Sequence, residues 1–169
     1  MVSTMSLGDK PIGRRIRDYT MRIATLLITA LVVSAPATSF GCDLIPLTIT
    51  KSTATWGKLT VTLGDADTVD HPSAWSGPVT ISLEGQPVCT VSESVSIVQE
   101  PVLLGKNTLF VSTYSGSQRQ IYALDIHTCR VVWKSPVYFA DPSYAHGMWM
   151  MGSRPLLLDK ACRPTDRSH

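Results

Sequence analysis

The sequence predicts an all-β domain: a small antiparallel sandwich or propeller-like arrangement of about seven to eight strands, stapled by disulfides. Three observations carry this. Eleven glycines and eleven prolines, with abundant Thr, Val and Ser, favour turn-rich β structure. Short alternating β-branched segments recur between turn signals at roughly regular spacing. Beyond the leader, no segment sustains a 3.6-residue period.

The chain begins with a segment of a different kind. Arg14, Arg15, Arg17 and Arg22 precede "IATLLITALVV", a run of eleven residues, and the small residues of "SAPATSFG" follow. A positive end, a short apolar stretch and a small-residue cleavage site make a secretory signal, so residues 1–41 are expected to be removed. Met21 is an alternative start, because "MRIATLLITALVVSAPA" is already a complete short signal, and cleavage after Ala37 or after Gly41 fits the small-residue rule. Eleven residues fall well short of the ~20 that a bilayer-spanning helix needs, which argues against a stable membrane anchor. Phe40 stands where a lipoprotein site wants a small residue, so Cys42 reads as a disulfide cysteine rather than a lipid anchor. The expected product is a periplasmic domain over residues 42–169, monomeric when free.

The formal charge of +2 is unevenly divided: five basic and two acidic residues precede Cys42, and ten basic and eleven acidic lie from Cys42 onward. With no basic run, the mature part is a poor match for a nucleic-acid partner.

Along the mature chain, "KLTVTL" leads into "GDAD", "GPVTISLEG" ends in a Gly turn, and "VCTVSESVSIV" runs to "QEP". Then come "NTLFVSTY", "RQIYALDI", "CRVVWKSP", "GMWMMG" and "RPLLLD". "GDADTVDHPSAWSGP" reads as a long surface loop and "RPTDRSH" as a frayed tail. In "QIYALDIHTCRVVWK", Tyr122, Leu124 and Ile126 share one strand face, while Ile121, Ala123 and Asp125 share the other. Asp125 and Thr128 are placed to hydrogen-bond the backbone of the turn, after which Val131 and Trp133 resume a buried face. The pattern resembles one repeat of the pyrroloquinoline-quinone-type β-propeller, "YALD…TG…W", with Cys129 where that repeat has Gly. One copy does not make a propeller enzyme, and no cofactor is implied.

Cys42, Cys89, Cys129 and Cys162 form an even set in an oxidising compartment and lack C-x-x-C spacing, so they read as structural staples rather than a zinc or redox site. Four cysteines allow three pairings. Pairing neighbours along the chain, Cys42–Cys89 and Cys129–Cys162, would tie the first strands together and the last strands together, and is the expected arrangement.

The common catalytic motifs are absent. Ser115 or Ser117 with His127 and Asp125 could be drawn as a triad, but no nucleophile elbow or oxyanion motif accompanies them, and turn chemistry is the better account. In "HGMWMMG", His146, Met148 and Met150 would share a strand face and are soft donors suited to Cu(I). Methionine more often fills a buried strand, so a periplasmic copper-binding protein is an alternative here, as is a propeller-blade-like structural or interaction protein.

The segment "YSGSQRQ" puts a small tip, Ser115, Gly116, Ser117 and Gln118, between an aromatic, Tyr114, and a cation, Arg119. Ser and Gly are ordinary hairpin residues, whereas aromatic and Arg residues are enriched at interfaces. Here "SGSQRQIYALDIHTCRVVWK" resembles the periplasmic immunity proteins that neutralise type VI secretion peptidoglycan amidases of the cysteine-peptidase kind. The likeness lies in a Ser-Gly-Ser loop, a strand, a short turn and Thr-Cys-[basic]-Val-Val. It extends to an early cysteine after the signal, a middle cysteine ahead of the loop and a late "LLLDKAC". The resemblance implies that Ser115, Gly116 and Ser117, with Gln118 beside them, enter the amidase cleft and meet its catalytic Cys and His. Tyr114 and Arg119 would then be the rim. It implies a binding protein, not an enzyme, whose partner is a cognate peptidoglycan amidase effector.

Overall fold

The structure, a computed structural model, describes residues 41–92, 95 and 97–165. The leader, with its expected start and cleavage sites, lies outside the described residues, as do the last four residues of the tail. From the N-terminus the strands are β1 (Ile45–Pro46), β2 (Ile49–Thr50), β3 (Thr53–Trp56), β4 (Leu59–Thr62), β5 (Asp65–Ala66), β6 (Ala74–Ser76), β7 (Thr80–Leu83) and β8 (Gln86–Thr90). They continue as β9 (Val98–Gly105), β10 (Thr108–Ser115), β11 (Gln118–Asp125), β12 (Val131–Lys134), β13 (Pro142–Ala145), β14 (Met148–Met151) and β15 (Arg154–Pro155).

All pairings are antiparallel, and no helix occurs among the described residues. Seven strands form a central sheet in the order β12-β11-β10-β9-β6-β5, with β1 also pairing β9. A second sheet runs β2-β3-β4-β7-β8 and a third β13-β14-β15. The all-β, disulfide-stapled expectation holds. The fifteen strands exceed the seven to eight expected: β1, β2 and β5 are two-residue pieces too short to show an alternating pattern, and the eight-residue β9 runs through "QEP", where the sequence suggested a strand end.

The period of two sorts the central strands into two cores. Val102, Leu104, Leu109, Val111, Tyr122 and Leu124 pack against Ala54, Leu59, Val61 and Ile81 of the second sheet. Their neighbours Leu103, Phe110, Ile121 and Ala123 point the other way, onto Trp149, Leu156 and Leu44. The central sheet is thus buried on both faces. The assignment of Tyr122, Leu124 and Ile126 to one face and Ile121 and Ala123 to the other is borne out. Val131 does not resume a buried face. It is exposed on edge strand β12, where the register against β11 shifts between Ala123 and Leu124, and Trp133 is only partly buried on the second core.

The cysteine pairing differs from the expected one. The bonds are Cys42–Cys162 and Cys89–Cys129, not Cys42–Cys89 and Cys129–Cys162. The reason is the layering. Cys89 on β8 and Cys129 after β11 meet at the first core, stapling the second sheet to the central one. Cys42 and Cys162 meet at the second core, where the start of the domain and the tail lie across the same sheet face. Cys42 and Cys89, like Cys129 and Cys162, therefore sit on opposite faces of the central sheet and cannot pair. Two disulfides and no free cysteine among the described residues mark an oxidising, extracytoplasmic environment.

The segment 64–78 is not one long loop. β5 and β6 pair within it, and Trp75 is fully buried with its indole N–H donating to the Lys51 carbonyl at 2.6 Å. Only the stretch between those strands is open. The described part of the tail is fastened rather than frayed: Thr165 N–H donates to the Leu157 carbonyl, and Arg163 pairs with Asp159.

Candidate interaction loop

β10 and β11 form a hairpin of two eight-residue strands, registered from Thr108↔Asp125 to Ser115↔Gln118. Two residues remain for the turn, Gly116 and Ser117. Gly116 has φ +60°, and Ser117 does not share the left-handed region, the pattern of a type II′ turn. The same device recurs at Gly57, φ +57°, between Trp56 and Leu59. Turn chemistry alone thus accounts for a glycine at the tip; the surroundings set this tip apart.

Arg119 is the first difference. Its side chain is 16% exposed and its guanidinium turns back along the hairpin. Nη1 donates to the Gly116 carbonyl at 2.8 Å and, more weakly, to that of Gln118 at 3.4 Å. Nη2 donates to Asp141 Oδ1 at 3.1 Å, and Cζ lies 4.9 Å from the Tyr114 ring centroid, a cation–π contact. The Arg119 main chain exchanges both hydrogen bonds with Tyr138, N to O at 2.8 Å and back at 3.0 Å. Tyr138 is packed inward, its hydroxyl 3.3 Å from Ser112 Oγ, and burial pushes its pKa up. The Arg119 guanidinium is therefore turned back onto Gly116, Gln118, Asp141 and Tyr114 rather than extended from the tip.

The second difference is what the tip leaves unused. Ser115, Gly116, Ser117 and Gln118 are all exposed, and nothing lies within 4 Å of the position a Gly116 Cβ would take. Among the described residues neither serine hydroxyl has a hydrogen-bond partner. Tyr114 is half-buried. Beside the tip lies a depression of about 200 Å3 bordered by Ile97, Tyr114, Ser115, Gln118, Arg119 and Val137. The antiparallel Arg119↔Tyr138 bridge brings exposed Phe139 into register with Gln118. Ile97, Val137, Phe139 and Asp141 went unnoticed in the sequence. An exposed Phe in "VYFADPS" is a signal, but only the fold brings it to the tip.

The imagined triad is not assembled. Ser117 and Asp125 sit at opposite ends of the hairpin, roughly 25 Å apart at the rise of a strand. The Asp125 carboxylate is engaged in its own turn, accepting from the amides of His127 and Thr128 and from Thr128 Oγ1. Partial burial opposes ionisation there, but the Thr128 and His127 hydrogen bonds prevail and hold the carboxyl below its ordinary range.

His146, Met148 and Met150 are not three steps along one strand. His146 occupies the β13–β14 turn with φ +52° and is exposed, while Met148 and Met150 are half-buried on β14. Trp149, between them, is fully buried edge-to-face against Phe110 at 6.4 Å. Among the described residues no group of three or more His, Cys, Asp or Glu side chains is arranged to hold a metal ion.

No protein-family model matches this chain, and no curated protein matches its sequence. Fold and loop together define a disulfide-stapled all-β domain of an oxidising compartment that presents an exposed, polar hairpin tip.

Proposed function

We propose that this protein is a periplasmic immunity protein, which blocks the active site of a type VI secreted peptidoglycan amidase with its Ser115-Gly116-Ser117 tip. The observation that carries the reading is the pair of unpartnered hydroxyls, Ser115 and Ser117, on an exposed two-residue turn braced from behind. A cysteine-peptidase site offers a thiolate and an imidazole at the foot of a narrow cleft. A hydroxyl can pair with either, and Gly116, having no Cβ, lets its backbone come close. The tip offers no scissile bond of the kind such an enzyme cleaves, so it occupies the cleft without turning over. Gln118 lies beside the plug, and the half-buried Tyr114 forms the near wall of the rim.

Export fits the same reading. The Arg-rich start and apolar run of the leader direct the chain to the periplasm, where the two disulfides can form and where a cell-wall amidase acts. The test is co-purification of the exported protein with a small Cys/His peptidase encoded beside it, followed by titration of that enzyme on peptidoglycan. One-to-one loss of cleavage supports the reading. Undiminished cleavage at saturating protein rejects it.

A further inference from the structure

We infer that Arg119 is the positioning residue of this surface: it touches no partner, and holds Ser115–Gln118 in one conformation before any partner arrives. Its three guanidinium hydrogen bonds all end on the protein itself, at Gly116, Gln118 and Asp141. The face of the fork lies over Tyr114, and the backbone on either side is tied to Tyr138. An arginine meeting a partner's acid would keep its fork outward. This one is mostly buried, with Nε enclosed and no hydrogen-bond partner, and its planar fork suits simultaneous hold on a carbonyl and a carboxylate.

The Gly57–Lys58 turn is the built-in control. It has the same length and the same sign of φ at its glycine, yet no described side chain caps the Gly57 carbonyl. Asp141 matters as the outer anchor. It reaches the tip from the connection after β12, so one side chain joins the turn to a segment distant in sequence. A tip already ordered loses less freedom on binding, and pre-organised loops bind more tightly for that reason. What the rigidity serves rests on the function proposed above; the rigidity itself does not.

The experiment is backbone 15N relaxation on the free, oxidised protein and on Arg119→Met, which keeps the aliphatic stem and removes every donor. In the unmodified protein the Gly116 order parameter is expected at the rigid-sheet level of about 0.85, above that of Gly57. In Arg119→Met it should fall toward about 0.6 or below, with Gly57 unchanged. Asp141→Ala, which leaves the strand pairing intact, should give a smaller loss in the same direction, and decides the matter if Arg119→Met does not fold. A Gly116 as mobile as Gly57 in the unmodified protein, or unmoved by both substitutions, overturns the inference. A tip loosened by Arg119→Met with unchanged affinity for the amidase would leave the positioning role standing and remove the plug.

Discussion

Arg119 Nη2 lies 3.1 Å from Asp141 Oδ1, and the same guanidinium reaches back 2.8 Å to the carbonyl of Gly116. The pair fixes a local shape more than it stabilises the fold, because the Asp141 side chain is 86% exposed. Ion pairs of that kind contribute roughly 0 to 1 kcal/mol. Asp141→Ala is therefore expected to shift the urea midpoint by no more than that range allows. A larger loss would mean that Asp141 supports the core.

The two disulfides should be separable in energy. In the chain-entropy account, Cys42–Cys162 closes 120 residues, worth about 5 kcal/mol, and Cys89–Cys129 closes 40, worth about 4 kcal/mol. Paired Cys→Ala variants are expected to lose stability on that scale, the 42/162 pair the more. Non-reducing peptide mapping checks the connectivity directly. A Cys42–Cys89 peptide would contradict the layered packing.

Trp75 should be among the costliest single positions. It is fully buried and satisfies the Lys51 carbonyl. Trp75→Ala is expected to cost about 3–5 kcal/mol, whereas Val69→Ala, at a 91% exposed site in the same segment, should stay within about 0.5 kcal/mol. Equal effects in urea denaturation would show that 64–78 is a surface loop after all.

Asp67 sets an acid limit on that segment. The Ser73 hydroxyl and amide, with the Ala74 and Thr68 backbone, hold its pKa at about 2 against an ordinary 3.8. A folded-state pKa below the unfolded one stabilises above the unfolded value, and the gain is lost as pH falls through the folded one. The Asp67 side-chain carboxyl resonance should therefore titrate with a midpoint near 2, and the Ser73 amide should move with it. A midpoint near 3.8 would show the hydrogen bonds are not formed in solution.

Much of the β10–β11 region was legible because its determinants are local. Alternation along "QIYALDI" assigns the faces, Asp125 and Thr128 organise the next turn, and Gly116 marks the tip. Cys129 adopts φ +55°, the left-handed conformation that glycine takes most readily. The disulfide pairing was not legible, since it depends on which sheets stack. Neither was the inward turn of Arg119, whose anchors Asp141 and Tyr138 come from a separate segment brought alongside by a backbone bridge. Two-residue strands such as β1 and β5 have no periodicity to detect.

The plug is tested most directly by titrating the neighbouring amidase with the unmodified protein and with Gly116→Trp, reading affinity by calorimetry and peptidoglycan cleavage alongside. Open space around Gly116 lets the variant fold, although the φ of +60° disfavours a side chain there. Ser115→Ala and Ser117→Ala should each weaken binding by about 0.5–1.5 kcal/mol, one net hydrogen bond. Gly116→Trp should weaken it more than either and restore cleavage. A folded Gly116→Trp protein that binds and inhibits like the unmodified one would show that the tip is only a turn.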